Sequence, residues 1–212
     1  MLTSAPQLCL GVWSGCGCES TTDTPNYPGL ERRETWATRP SRNVKRIVAL
    51  VFARTGAVSQ AEELAQIINQ DSSLDTLVQN YELPTLRAAI ELDKNQPARA
   101  IEILQVAVPY DLADLYPLGK LYPAYLRGLA YLKLGKGPEA AAEFQKMVDH
   151  PGIVQDFITA PLSRLQLARA QAMMGDKAAA RKSYEDFLTL WKDADSDIPI
   201  YKQAKAEYAR LR

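Results

Sequence analysis

The chain has 212 residues, with 25 Lys+Arg balanced by 25 Asp+Glu, one His, three Cys, 47% apolar and 8% aromatic residues. That length and apolar fraction suffice for a buried core, whereas zero net charge removes the electrostatic footprint of a nucleic-acid binder, which must displace counterions from many phosphates. One His, and cysteines confined to Cys9, Cys16 and Cys18, argue against a zinc enzyme, a triad hydrolase and a disulfide scaffold.

Residues 1–43 differ in composition from all that follows. They hold Gly11, Gly15, Gly17, Pro25, Pro28 and Pro40, a Ser/Thr-rich patch over 20–24, and neither a helical nor an alternating apolar period. Such a segment buries too little apolar surface to offset its ordering entropy. It is read as disordered or as not native to the domain, and 44–212 as the folded domain. Cys16-Gly17-Cys18 places one residue between its thiols where metal knuckles place two, so no metal is expected there. No Lys or Arg precedes Arg32 and no long apolar stretch follows Met1, unlike a secretory signal. The longest apolar run, Ile47 to Ala53, is too short to span a bilayer. The expectation is a soluble cytoplasmic protein with no membrane insertion, export staying open if the native N-terminus is missing.

From Val44 onward the chain is dense in Ala, Leu, Glu, Lys, Gln and Arg, with no alternating β-branched runs, which predicts an all-α domain. The domain repeats itself. Ala61, Ala100, Ala140 and Ala180 recur at spacings of 39, 40 and 40; five residues before each stands Gly56, Asn95, Gly135 or Gly175, and twelve before stands Ala49, Ala88, Gly128 or Ala168. Four after, Leu104, Phe144 and Tyr184 are bulky, and Ala65 is not. Gly and Asn tolerate the left-handed backbone that ends a helix, and small residues let two antiparallel helices cross closely. The reading is four helical hairpins, with inner helices near 44–55, 84–94, 123–134 and 161–174 and outer helices near 59–70, 97–107, 138–149 and 176–191. A last amphipathic helix near 199–211 caps the stack. Ser59-Gln60-Ala61-Glu62 reads as a capping box, Asp176 as an N-cap, and Pro84, Pro97, Pro123, Pro138, Pro161 and Pro199 as first-turn prolines.

Gly128-x-x-Tyr131 followed by Ala140-x-x-x-Phe144 resembles the tetratricopeptide repeat. The other hairpins have Phe52, Glu91 and Gln171 where Tyr131 stands, and the period is about 40 rather than 34. The resemblance implies a right-handed superhelical solenoid of four such hairpins plus the C-terminal capping helix. Within 44–212, the run Tyr122-Pro-Ala-Tyr-Leu-Arg-Gly-Leu-Ala-Tyr-Leu, then Met173-Met-Gly-Asp-Lys-Ala-Ala-Ala-Arg, then Tyr184-Glu-Asp-Phe-Leu-x-Leu-Trp-Lys-Asp-Ala-Asp, is similar to the C-terminal repeat region of some bacterial eukaryotic-like serine/threonine protein kinases. Similar tails follow winged-helix domains in bacterial regulators. These likenesses imply a sensory or docking tail; the kinase's Gly-rich, His-Arg-Asp and Asp-Phe-Gly motifs are not in this sequence.

No nucleophile–base pair stands out, so neither an enzyme activity nor a cofactor is expected. His150 is read as a cation near helix C-terminal carbonyls rather than as a base beside Asp149 or Asp156. Lys192-Asp193-Ala194-Asp195-Ser196-Asp197 lacks the glycine and closing Glu of a calcium loop and is read as solvated, with Asp197 near the cap of the last helix. Tyr110, Tyr116, Tyr122, Tyr125 and Tyr131 either pack between hairpins or form an aromatic groove for a peptide. Along the inner helices, Arg46, Thr85, Tyr125 and Leu165 form one column and Leu50, Ala89, Leu129 and Arg169 another; neither matches a carboxylate clamp. The function expected is a non-catalytic protein-interaction module holding a protein or peptide in its concave groove, with Tyr122, Tyr125, Leu129, Lys133, Leu165 and Arg169 as candidate contacts. Two alternatives stay open, a detached regulatory domain of a kinase or transcriptional regulator, and a small-molecule sensor.

Overall fold

The computed structural model describes residues 41–113 and 120–211. Most of the segment 1–43 therefore lies outside the described residues, as does Tyr116. All regular structure among the described residues is helical. The first hairpin pairs α1 (Arg42–Arg54) with α2 (Val58–Asp71). The second pairs α3 (Leu83–Asp93), entered through a wide turn at Val78–Glu82, with α4 (Pro97–Leu104), which tightens into a 3-10 turn at Gln105–Tyr110. In the third, α5 (Tyr122–Lys133) meets α6 (Gly137–Asp149). A single turn, α7 (Pro151–Val154), leads to the fourth, α8 (Thr159–Met173) with α9 (Lys177–Leu190), and α10 (Pro199–Ala209) closes the stack. Each first helix packs on its own partner, and those of the second, third and fourth hairpins pack also on the second helix of the hairpin before and on the preceding first helix. The hairpins thus stack as a right-handed superhelical solenoid with α10 as its cap.

The four turn formers do what the repeat requires of them. Gly56, Asn95, Gly135 and Gly175 have φ of 83°, 57°, 70° and 82°. The amide of the next residue then reaches back to a carbonyl five positions upstream: Ala57 to Phe52 (3.0 Å), Gln96 to Glu91 (2.7 Å), Lys136 to Tyr131 (2.9 Å) and Asp176 to Gln171 (3.0 Å). This is the hydrogen bond that seals a helix end through a left-handed residue. It also explains why Tyr131 does not recur in its column: a backbone carbonyl accepts this bond, and every residue supplies one whatever its side chain.

Helices cross at the small residues. Ala49, Ala88 and Ala168, together with Ala61, Ala100, Ala140 and Ala180, have no exposed surface. At the third hairpin a Cβ on Gly128 would lie 2.6 Å from two atoms of the Phe144 ring, so the crossing there requires glycine. Two turns after the alanine column, Ile68, Ala107, Met147 and Phe187 form a further buried column at the same spacing.

Two local expectations need correction. Ala57 occupies the N-cap of α2 without a side-chain bond, so Ser59 is already helical and the capping box does not form. Pro84 does not begin its helix. Asp75 Oδ1 accepts from the amides of Leu77 (3.1 Å) and Val78 (3.2 Å), which starts the helical path earlier. The turn then widens, the Leu83 amide donating to the Val78 carbonyl. A widened turn accommodates a proline because Pro84 brings no amide to the regular ladder and its ring needs room. Asp176 does cap α9, its Oδ1 accepting from Ala179 N at 3.0 Å.

A buried charge cluster anchors the third hairpin. Arg127, 1% exposed, donates from Nε and Nη2 to the two Glu143 oxygens at 2.8 Å each and from Nη2 to Asp111. Lys146 Nζ joins Asp111 at 2.8 Å. The cluster ties α5 and α6 to the turn that follows the 3-10 segment.

The Gly128–Phe144 contact generates a stability test. Gly128→Ala is expected to destabilise the domain by ~1–3 kcal/mol, the usual effect of overpacking, and Phe144→Leu in the same chain is expected to recover part of it. Urea denaturation followed by circular dichroism reads both; an unchanged midpoint in Gly128→Ala would contradict the close crossing.

Candidate functional site

The inner helices of all four hairpins and the cap helix contribute to one groove of about 720 Å³. Ala53 and Arg54 come from α1, Leu92 and Asp93 from α3, Leu129, Leu132 and Lys133 from α5, Gln166 and Arg169 from α8, and Gln203 and Glu207 from α10. The repeat explains this arrangement. Arg54, Asp93 and Lys133 occupy equivalent places, each two residues before its left-handed turn residue, so stacking the hairpins sets them side by side.

Three of the five charges are already engaged. Arg169 forks onto Glu207, Nε to Oε2 at 2.9 Å and Nη2 to Oε1 at 3.0 Å, and the Tyr184 hydroxyl donates to Glu207 Oε2 at 2.9 Å. Glu207 thereby locks α8, α9 and α10 together at one end of the groove. Lys133 Nζ donates to the Leu92 carbonyl (3.0 Å) and to Asn95 Oδ1 (3.4 Å), placing its charge at the C-terminal end of α3, where the helix dipole favours a cation. Arg54 and Asp93 make no ion pair or side-chain hydrogen bond among the described residues and are exposed.

The six candidate contacts separate into two sets. Leu129, Lys133 and Arg169 line the groove. Tyr122 (7% exposed), Tyr125 (5%) and Leu165 (0%) are packed beneath it. Tyr122 meets Phe157 edge-on at 6.2 Å and Tyr125 meets Phe144 at 5.8 Å, so these two tyrosines fill the core in and beside the third hairpin. Leu165 belongs to the core shared with Tyr184, Phe187 and Tyr201. The column Arg46, Thr85, Tyr125 and Leu165 is buried throughout, Arg46 approaching Glu82 at 2.6 Å. This column lies about two turns upstream of Arg54, Asp93 and Lys133, and the groove opens at the C-terminal ends of the inner helices. Moving the alignment to the second residue before each turn former finds Arg54 and Asp93. Nothing in the repeat marks Gln203 and Glu207, since α10 lies outside it.

Burial acts on the tyrosines beneath the groove. It pushes the Tyr125 hydroxyl up to about 12 against the opposing charge of Arg54, and it raises Tyr122 likewise. Tyr184 is raised by burial and by its bond to Glu207. Elsewhere, His150 Nδ1 lies 2.8 Å from the Lys146 carbonyl at the end of α6, the helix-terminal role its position suggested. Asp197 lies near the cap of α10, one residue before its N-cap Ile198, and no side chain accepts a capping hydrogen bond there. No group of three or more His, Cys, Asp or Glu residues is arranged to hold a metal among the described residues, and no helix there is long and apolar enough to cross a membrane.

No protein-family model matches the sequence, and no curated protein matches it. In three dimensions the chain is similar to crystal structures of the nearly identical TPR-like repeats of a protein assigned as a kinesin light chain from Podosopora anserina. A single-site variant of those repeats aligns at a TM-score of 0.57 and 18% identity, over 79% of this chain and 83% of that one. A second structure aligns at 0.56 and 17% over the same shares. At such identity the likeness is one of fold alone, a solenoid of TPR-like helical hairpins.

The raised Tyr125 hydroxyl has a consequence at high pH. Its folded value lies above the ordinary value of 10, so its stabilising contribution is complete below pH 10 and is lost as pH rises toward 12. Two units correspond to about 3 kcal/mol. Denaturation midpoints measured across this window are expected to fall less steeply in Tyr125→Phe than in the unsubstituted chain; parallel curves would show that Tyr125 ionises as it does in water.

Proposed function

We propose that this chain is a non-catalytic interaction module whose groove holds a segment of another protein. The observation that carries this reading is the continuity of the groove across five helices, with side chains not committed to internal bonds. Leu129 and Leu132 supply an apolar strip, and Arg54 and Asp93 present opposite free charges on adjoining helices. An extended or helical segment with apolar side chains and an acidic residue opposite Arg54 complements that pattern. Neither nucleic acid nor membrane insertion enters this reading, and its setting is the cytoplasm.

Two narrower readings share the same groove. In one, the chain is the regulatory domain of a serine/threonine kinase or transcriptional regulator, which the resemblance of 122–132, 173–181 and 184–195 to kinase repeat tails supports. In the other, the groove senses a small molecule, which its volume supports, since ligand sites occupy roughly 300–1,000 Å³. A ligand-dependent rise in melting temperature would favour the sensor.

Site-specific photocrosslinking in the native host tests the main reading. A photoreactive residue at Gln203, in the groove, is expected to capture a discrete protein, and one at Glu63, on the outer face of α2, is not. Arg54→Glu is then expected to weaken binding of that purified protein roughly tenfold, equivalent to about 1.4 kcal/mol, while Glu63→Arg leaves it unchanged. Equal capture from both faces, together with indifference to Arg54→Glu, overturns the assignment of the groove.

A further inference from the structure

The connection between the third and fourth hairpins builds a second cleft. Residues 150–158 link α6 to α8 through the single turn α7, and a cleft of about 360 Å³ lies between this connection, the start of α8 and the end of α9. It shares no lining residue with the groove. Met147 and Val154 give it a buried apolar lining. Two half-buried aromatic side chains also line it, each held by a ring of the core: Phe157 by Tyr122 at 6.2 Å and Trp191 by Phe187 at 5.0 Å. Gln155, on the same cleft, has φ of 52° and ψ of −135°, a backbone costly for a residue with a Cβ, and its Oε1 accepts from Lys120 Nζ at 2.6 Å. Strain of this kind concentrates where a segment is shaped for a ligand.

The charge on the cleft identifies what it takes. Arg164 lines it, half-buried, with one nitrogen engaged, Nη1 donating to the Ala160 carbonyl at 3.1 Å. Its other edge, Nε and Nη2, makes no hydrogen bond or ion pair among the described residues. In Arg127 and Arg169 that same edge is filled by a carboxylate of the chain itself, Glu143 in one case and Glu207 in the other. We propose that the cleft binds a small aromatic monocarboxylate, its carboxylate forked on the Nε and Nη2 edge of Arg164 and its ring against Trp191 and Phe157. The planar guanidinium fork matches a carboxylate in geometry, and aromatic walls favour a flat ring over an aliphatic chain of the same size. The volume lies at the lower end of the roughly 300–1,000 Å³ of small-molecule sites, which suits one or two rings. Asp156, exposed on the same cleft and without a partner among the described residues, disfavours a second negative charge on the ligand. The groove plays no part in this binding, so its failure and that of the interaction reading are separable.

Proton–nitrogen NMR of the full chain tests the assignment at Trp191, whose indole resonance is identified among those of the three tryptophans by its loss in Trp191→Phe. Phenylacetate and indole-3-acetate are expected to shift that resonance with a Kd of about 1 mM or below. Phenethylamine, which carries the opposite charge on the same ring as phenylacetate, is expected to leave it in place. Arg164→Gln, verified as folded by circular dichroism, is expected to weaken phenylacetate about tenfold or more. Arg164→Lys, which keeps the charge without the fork, is expected to fall between, and Arg54→Gln, in the groove, to change nothing. Should Arg164→Gln fail to fold, the acid and the amine compared on the unsubstituted chain still decide the charge requirement. A Trp191 resonance that neither acid moves at about 10 mM, ten times the expected Kd, overturns the proposal. So does an equal or larger shift with phenethylamine, or a folded Arg164→Gln chain that binds phenylacetate as tightly as the unsubstituted one.

Discussion

Close crossing of antiparallel helices at alanine and glycine is the constraint on which the rest of the molecule depends. A buried alanine, or Gly128 on α5, on each crossing helix brings the two backbones near enough for larger side chains on either side to interlock. Once one hairpin is held at that spacing, its neighbour meets the same surface 39 or 40 residues later, and the stack propagates. The left-handed residue at each turn makes the crossing reproducible. It ends the inner helix at a fixed point and reverses the chain within a few residues, sealed by one backbone bond that recurs in all four hairpins. The third hairpin shows the limit of this design, where Gly128 yields even its Cβ so that the Phe144 ring can lie against the backbone.

From this regularity the groove follows. Equivalent positions on successive inner helices are brought into register, so residues about 40 apart in sequence become lateral neighbours. Lys133 bonding the Leu92 carbonyl is one product of that register, and the adjacency of Arg54 and Asp93 is another. The cap helix does more than shield the last hairpin. Through Glu207 it gathers Arg169 and the Tyr184 hydroxyl into one cluster and forms the far wall of the groove. The two ends of the solenoid consequently differ in character, one finished by an amphipathic helix and the other presenting on α1 the apolar side that every later inner helix buries.

Polar groups inside the stack specify how the irregular connection is held. Arg127 is surrounded by Glu143 and Asp111, with Lys146 sharing Asp111, and the cluster fastens the turn after the 3-10 segment to the third hairpin. A buried ion cluster adds little net stability over an apolar core of the same volume, because desolvation offsets most of the attraction. Its geometry is directional, however, and directionality is what a connection outside the repeat lacks.

The hairpin order, the helix ends and the small-residue crossings were legible in the sequence because each rests on local chemistry: left-handed tolerance of Gly and Asn, the missing amide of proline, and a period that any folded repeat must keep. Local chemistry also misled in places. Ser59 has the composition of a cap and Pro84 that of a helix start, but a cap depends on where the preceding turn releases the chain, and Asp75 had already begun the second inner helix. The candidate site was half legible. Leu129, Lys133 and Arg169 were found through the inner-helix pattern, whereas Tyr122, Tyr125 and Leu165 share the same helices and lie in the core. A helical period tells which residues share a face but not which face meets a neighbour and which meets solvent. That choice depends on how far each hairpin rotates against the next, a property of packed side chains many residues apart, and so only the tertiary structure could place Arg54 and Glu207 in the groove.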